Sequence, residues 1–164
     1  KENSQGKIDA AQLDQIAREA LRPFENSGGE NPYSIQRDLQ EMMQHNVGIV
    51  RDEAEMKAAL HHLETFWNRA GRVGVTGNRD FNPGWHTALD LKNLLTVSEA
   101  ITRAALERKE SRGAQFREDY PEKDEKFSKV NTIIRKTADG TMDVRLEPLP
   151  EMPDYLKQVI EEMR

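Results

Sequence analysis

The stretch ERKESRGAQFREDYPEKDEKF, residues 107–127, separates two kinds of hydrophobic pattern. Before it, apolar residues recur every three or four positions, a spacing typical of amphipathic helices. After it, apolar and polar residues alternate, which is typical of strands. The stretch itself carries many charges of both signs and contains Gly113 and Pro121, and both residue types interrupt regular structure. It therefore predicts a junction between a helical region and a β-hairpin.

The region before the junction contains four predicted helices. The first spans about 9–24 with Asp9 as its N-cap, and the second begins at Asn31, where the proline that follows fits the first helical position. The third spans about 52–70. The fourth, from about Pro83 to Glu110, is apolar over so wide an arc that we expect it to be central in a helix bundle.

The region after the junction is predicted to form a hairpin and a short helix. Alternating apolar residues run through 130–134 and 142–146, and Asp139-Gly140 between them is a strong hairpin signal. Asp154 is placed to cap a last helix over 155–163. The predicted fold is mostly α: an antiparallel three- to four-helix bundle followed by a β-hairpin and a short C-terminal helix. We place the bundle at residues 1–113 and the charged loop, hairpin and C-terminal tail at residues 114–164.

Composition excludes several classes of function. The chain of 164 residues has no cysteine, so it contains no disulfide, zinc–thiolate site, cysteine-ligated iron–sulfur cluster or thiol nucleophile. Its net charge is −5 with both signs interspersed, which argues against nucleic acid as a partner. No apolar run approaches the roughly 20 residues of a membrane span, so we expect no direct membrane insertion. Because the chain begins KENSQG without an initiator methionine, we interpret it as a piece of a longer polypeptide.

The residue types that most often carry chemistry are not arranged for it. The four histidines form no i, i+4 pair and no HExxH motif, so no metal site is predicted. The glycine-rich segment 71–78 lacks the GK[ST] of a phosphate-binding loop. Ser111 lacks the GxSxG context of a nucleophile, and carboxylate pairs such as Glu118-Asp119 more often neutralise neighbouring arginines. We therefore predict no catalytic, cofactor-binding or metal-binding residue in this chain.

Arginines dominate the junction. Arg108 and Arg112 are four residues apart at the end of the long predicted helix, where cations complement the helix C-terminus. Gly113 follows and can adopt the positive φ that ends a helix. Arg117 and Asp119 could then pair with groups on another surface. Two interpretations stay open on these grounds, a solvated helix cap and a docking element.

Several motifs follow one another in an order that belongs to a known family. They are NPY at 31–33, LQxM at 39–42, VGIxR at 47–51, NxxW at 82–85, ALxLxN at 88–93, and RxESRGAxxRxDYPxxD at 108–124. In this order the chain resembles the C-terminal region of the succinate dehydrogenase/fumarate reductase flavoprotein subunit, over nearly its whole length. L-Aspartate oxidase has a similar ESRG…DYP ending, but Arg117 and the pattern from Asn82 to Asn93 look more like the succinate/fumarate branch. Gln115 is a departure, because the family usually has histidine there.

The resemblance implies a structural and docking function. In that family FAD is bound by an upstream domain, dicarboxylate lies between that domain and a capping domain, and electrons pass to iron–sulfur clusters. No family catalytic residue falls in this chain, so we expect it to hold no cofactor and to be inactive alone, with FAD in the parent subunit. The implied partners are the flavin-binding domain of the same polypeptide and an iron–sulfur subunit.

The implied location is cytoplasmic, peripheral to the inner face of the cell membrane as part of a complex. The alternative from another class is a free-standing helical interaction module. The docking candidates are Arg108, Ser111, Arg112, Gly113, Arg117, Asp119 and Tyr120.

Overall fold

The computed structural model of the protein describes residues 9–26 and 28–163. These residues form six helices and four strands. The helices are α1 (Ala10–Glu25), α2 (Pro32–Asn46), α3 (Glu53–Ala70), α4 (Pro83–Glu107), α5 (Glu125–Ser128) and α6 (Asp154–Glu162). The strands are β1 (Val50–Arg51), β2 (Phe116–Arg117), β3 (Val130–Lys136) and β4 (Met142–Pro148). The mostly α fold with a hairpin and a short C-terminal helix is confirmed.

The first two helices begin where the sequence predicts because their caps act locally. The Asp9 carboxylate accepts a hydrogen bond from the Ala11 N–H at 2.9 Å, and the Asn31 side chain accepts one from the Tyr33 N–H at 2.9 Å. Each bond satisfies one N–H that has no partner within its own helix. Pro32 occupies the first turn of α2, where its missing N–H costs nothing.

The predicted hairpin is confirmed in position. Strands β3 and β4 pair antiparallel, from Val130 opposite Pro148 to Lys136 opposite Met142. The turn between them closes with a hydrogen bond from the Thr137 N–H to the Thr141 carbonyl at 2.9 Å. Strands β1 and β2 form a second, two-residue parallel pair, in which Arg51 lies opposite Arg117.

Packing divides the chain into two units, each described by itself. The first contains the described residues of 1–48 and 54–99, and the second those of 49–53 and 100–164. The first unit has an apolar core contributed by α2, α3, α4 and the loop between α3 and α4. Its buried members are Ile35, Leu39, Leu63, Phe66, Val73, Val75, Ala88, Leu91 and Leu95.

The second unit buries polar groups together with apolar ones. Ala105 and Phe127 are buried there, and so are Glu110, Ser111 and Arg117. The packing division falls within α4, whereas the sequence placed a boundary after residue 113. That boundary stays a proposal about domain organisation.

Two predicted helix boundaries are corrected. Helix α4 ends at Glu107 rather than Glu110, and the Glu110 side chain bonds groups outside the helix. Gly113 has φ +62° but does not end the helix. It lies in a turn in which the N–H groups of Arg112 and Gln115 donate to each other's carbonyls, at 3.0 and 3.2 Å.

The start of the last helix is also corrected. Asp154 is the first residue of α6, and Pro153 occupies the N-cap position without a side-chain cap bond. The Asp154 carboxylate instead accepts a hydrogen bond from Lys157 Nζ at 2.9 Å. Across the described residues, none of the helices combines the length and the hydropathy that a membrane span requires.

Candidate functional site

Glu110 is the centre of the charged junction. Its side chain is fully buried, and one carboxylate oxygen accepts from Arg108 Nε and from Arg112 Nε, each at 2.9 Å. The second oxygen accepts from the Asp124 N–H at 3.0 Å. We call Glu110, Arg108, Arg112 and the Asp124 backbone the Glu110 cluster. It joins the residues that follow α4 to the start of α5.

The partners of Glu110 keep it ionised. The hydrogen bond from Arg112, together with those from the Asp124 N–H and Arg108, lowers the pKa of Glu110 from its ordinary 4.5 to about 2, although burial acts in the opposite direction. Hydrogen bonds to a carboxylate favour its charged form. The buried charge is thus neutralised on site, and Glu110 is not poised to exchange a proton at neutral pH.

Both arginines of the cluster also bind backbone. Arg108 Nη2 donates to the Phe127 carbonyl at 2.8 Å, and its guanidinium lies 5.5 Å from the centre of the Phe127 ring. Arg112 Nη2 donates to the Asp124 carbonyl at 3.2 Å. The Glu110 cluster therefore holds one loop of this chain in place through charge-assisted hydrogen bonds.

Arg117 is fully buried, and its side chain donates to three backbone carbonyls and to one carboxylate. Its Nη1 donates to the carbonyls of Ala105, Leu106 and Arg108 at 2.9, 3.3 and 3.3 Å. These carbonyls at the C-terminal end of α4 lack partners within the helix. Its Nε and Nη2 bind the two carboxylate oxygens of Asp119, each at 2.7 Å.

This geometry corrects the expectation that Arg117 faces another surface. A side chain with no exposed area cannot contact a second protein directly. Asp119 completes the arrangement by accepting a hydrogen bond from the Glu53 N–H at 3.2 Å. The hydrogen bond from Arg117 is the largest cause that lowers the pKa of Asp119.

Ser111 is a structural residue in this geometry. Its hydroxyl oxygen accepts from the Arg117 N–H at 2.8 Å and donates to the Tyr120 carbonyl at 2.9 Å. The Ser111 N–H donates to the Glu122 carbonyl at 3.1 Å. The Tyr120 ring lies under the Arg117 guanidinium, 5.0 Å from its carbon. Ser111, Asp119 and Tyr120 thus all contact the buried Arg117.

Three further residues in or beside the junction are not predicted as site residues from the sequence. The sequence predicts Glu110 as the end of a helix, although a carboxylate flanked by arginines two residues away on each side is the available signal. Gln115 Nε2 donates to the carbonyls of Arg108 and Glu110 at 2.9 and 3.1 Å. Arg51 has a buried Nε without a hydrogen-bond partner among the described residues, and burial with the nearby Arg117 charge lowers the pKa of Arg51.

Within the described ranges, no three histidine, aspartate or glutamate side chains converge as a metal site would require. Of the predicted docking residues, Gly113 and Asp119 are exposed, while Arg108, Arg112 and Tyr120 are partly exposed. These are the members of the set that another surface could touch.

Fold and site together define a class of protein. It is a helical domain with a hairpin, in which the buried charges of the described junction bond the domain's own backbone. Residues 36–158 match the family described as fumarate reductase flavoprotein C-term. The chain belongs to this family, which confirms the resemblance drawn from the motifs.

Named relatives agree with the family. The chain is 32% identical over 123 residues to the fumarate reductase flavoprotein subunit of Mycobacterium tuberculosis, covering 74% of this chain and 21% of the relative. It is 38% identical over 120 residues to the succinate dehydrogenase flavoprotein subunit of Coxiella burnetii, covering 72% and 19%.

A solved structure also supports the family assignment. The chain matches Mycobacterium smegmatis Sdh1 in complex with UQ1 with a TM-score of 0.85 and 37% identity, covering 98% of this chain and 28% of that one. The chain thus spans about a fifth of the length of the curated relatives it matches.

Proposed function

We propose that this chain is the structural and docking domain of a flavoprotein that interconverts succinate and fumarate through FAD. The FAD would be held by other parts of the same polypeptide. The observation that carries the proposal is the match to Sdh1, because 98% of this chain corresponds to only 28% of that chain. The remaining parts of such a polypeptide would contribute the cofactor and the dicarboxylate site.

The geometry of the junction supports a structural role for this domain. The Glu110 cluster and Arg117 use charge-assisted bonds to hold residues 108–127 in one conformation. A loop fixed in this way presents its exposed groups without having to be ordered when a partner binds, and this lowers the cost of association.

The proposed partners are the flavin-binding domain of the same polypeptide and an iron–sulfur subunit that accepts the electrons. Arg108, Arg112 and the exposed turn at Gly113 give the junction a partly exposed edge of mixed charge, in which the arginines lie near the carboxylates of Glu110, Asp124 and Glu125. Charges at the edge of an interface set specificity and association rate more than they set affinity. We place the assembled protein in the cytoplasm, peripheral to the inner face of the cell membrane.

A pair of substitutions at Gly113 tests docking at the junction without disturbing the Glu110 cluster. A side chain at Gly113 meets open space, and both Asn and Asp tolerate its left-handed conformation. Gly113→Asp adds a negative charge beside the arginines, and Gly113→Asn adds the same shape without charge. We expect Gly113→Asp to weaken association of the complete polypeptide with the iron–sulfur subunit relative to Gly113→Asn. Equal dissociation constants would show that the arginines beside Gly113 do not take part in docking.

The reaction is tested with the complete polypeptide and its iron–sulfur subunit. We expect succinate oxidation or fumarate reduction with an artificial electron carrier. Oxidation of L-aspartate in place of these activities would favour the alternative branch. A complete polypeptide that binds neither flavin nor dicarboxylate would favour a helical interaction module.

A further inference from the structure

Phe81 combines two unfavourable features at the surface of the first unit. Over the described residues it is the only non-glycine residue with positive φ, at +54°, and its side chain is fully exposed. A bulky side chain in the left-handed region is strained, and an exposed phenyl ring forgoes the gain of burial. Strain of this kind persists where the surrounding structure imposes it, and it clusters at functional positions.

The loop around Phe81 is held by Asn82. Asn82 Nδ2 donates to the carbonyls of Thr76 and Asn78 at 2.9 and 2.8 Å, and its Oδ1 accepts from the Trp85 N–H at 3.0 Å. One side chain therefore closes the loop and starts α4. The outward position of Phe81 is a consequence of this hydrogen-bonded turn.

A surface cavity of about 370 Å³ lies beside this turn. It is lined by Gly28 and Gly29 and by residues 31–33, 74–76 and 82–84, so its wall begins at the residue after Phe81. The described lining contains no aspartate, glutamate, lysine, arginine or histidine. Tyr33, about half exposed, contributes a second aromatic ring.

Backbone hydrogen bonds join the segments beside the cavity. The Glu30 N–H donates to the Arg72 carbonyl at 3.1 Å, and the Gly74 N–H donates to the Glu30 carbonyl at 3.0 Å. A Cβ at Gly74 would collide with the Asn26 carbonyl oxygen, so the two segments approach as closely as glycine permits. A preformed surface loses little conformational freedom when a partner covers it.

We infer that Phe81 and this uncharged cavity form the surface on which the flavin-binding part of the same polypeptide docks. The inference rests on the proposed function and adds to it a place and an anchor residue. An exposed aromatic beside a preformed pocket has the anatomy of an interface hot spot.

Two observations favour this occupant over a separate subunit. The chain covers 28% of the Sdh1 chain and 21% of a fumarate reductase relative, so most of such a polypeptide lies outside the matched region. Charged residues are depleted at the centre of permanent interfaces, and the cavity wall is uncharged. The charged junction of the second unit suits a partner that dissociates.

Hydroxyl-radical footprinting tests the inference directly. The oxidation rate of Phe81 is measured by mass spectrometry in the 164-residue chain and in the complete polypeptide, with the buried Phe127 as a slow reference in both. We expect Phe81 to be oxidised at least ~10-fold more slowly in the complete polypeptide, because the centre of an interface excludes water.

Three results would overturn the inference. Equal rates in a flavin-loaded polypeptide would show that this surface stays open. Protection that grows with the concentration of the 164-residue chain alone would make a second copy the occupant. Protection that appears only when the iron–sulfur subunit is added would assign the surface to that subunit.

A substitution gives a second readout, in which only the complete polypeptide is expected to lose stability. Phe81→Asn tolerates the left-handed backbone and removes the ring. We expect the Tm of the 164-residue chain to stay the same or rise, and that of the complete polypeptide to fall by about 2–4 °C. The neighbouring exposed Asp80→Asn is the control and should change neither value.

Equal destabilisation of both proteins, or of neither, would contradict docking through Phe81. A complete polypeptide that binds no flavin would instead refute the proposed function, so the two failures are distinguishable.

Discussion

The Glu110 side chain is fully buried and lies between the side chains of Arg108 and Arg112. A buried carboxylate is costly unless it is paired and hydrogen-bonded, and here three donors meet it within 3.0 Å. The sequence could have suggested the pairing from RKESR, in which the arginines stand two residues away on each side. It could not have shown the burial, because that depends on Asp124, fourteen residues further along the chain.

Replacing Glu110 by glutamine tests the importance of its charge. Glu110→Gln keeps the shape but leaves the guanidiniums of Arg108 and Arg112 without their shared counter-charge. We expect a loss of about 3–5 kcal/mol in the free energy of unfolding, measured by urea denaturation. The exposed Glu118→Gln is the matched control and should change stability by less than about 0.5 kcal/mol. Similar values for the two variants would show that the cluster contributes little.

Acid stability provides an independent test of Glu110. Its folded-state pKa of about 2 lies below the ordinary 4.5, so ionisation favours the folded state. This stabilisation is fully present above about pH 4.5 and is lost as the pH falls toward about 2. The difference in stability between wild type and Glu110→Gln should therefore shrink across this window. A difference that stays constant over the window would contradict the pairing.

Arg117 gives the sharpest contrast between expectation and structure. Sequence alone left open a docking role, but its donors are all directed to Asp119 and to the carbonyls at the end of α4. Lysine cannot reproduce these bonds, because its ammonium group lacks the planar set of donors that a guanidinium has. We expect Arg117→Lys to lower the free energy of unfolding of the chain by about 2–4 kcal/mol.

The control for Arg117 is Arg145→Lys, on a partly exposed hairpin ion pair, which should cost less than about 0.5 kcal/mol. If Arg117→Lys left the chain as stable as wild type but impaired assembly, the docking interpretation would be restored.

At the scale of elements, helix starts were easier to predict than the end of α4. Asp9 and Asn31 act on N–H groups two residues away, so their effect is readable from the sequence. The end of α4 depends on Arg117 and Gln115, which approach its last carbonyls from a later loop. The hairpin was predictable for the same reason as the caps, because its turn and its alternation are local.

Substitutions at Asn82 separate the stability contributed by the cap of α4 from that contributed by the hydrogen bonds to the preceding loop. Asn82→Asp keeps the oxygen that accepts from Trp85 but loses the donors to Thr76 and Asn78, whereas Asn82→Ala loses both functions. We expect Asn82→Ala to be less stable than Asn82→Asp by about 1 kcal/mol, the usual contribution of an N-cap. Equal unfolding free energies for the two variants would show that the cap bond contributes nothing.

At the scale of the whole molecule, ordered motifs carried more information than composition. A net charge of −5 and the absence of cysteine excluded classes of function without choosing one. The succession of motifs from residue 31 to residue 124 pointed to the family that residues 36–158 match. The role of each junction residue had to come from three-dimensional contacts, because Glu110, Gln115 and Arg117 act across turns that no periodicity describes.

The measurement that bears most directly on the proposed role is flavin content. The complete polypeptide and the 164-residue chain are purified from the same gene, and bound FAD is quantified by visible absorbance against protein concentration. We predict stoichiometric flavin on the complete polypeptide and a colourless 164-residue chain. Stoichiometric flavin on the 164-residue chain alone, or a complete polypeptide without flavin, would contradict its assignment as the structural and docking domain of a flavoprotein.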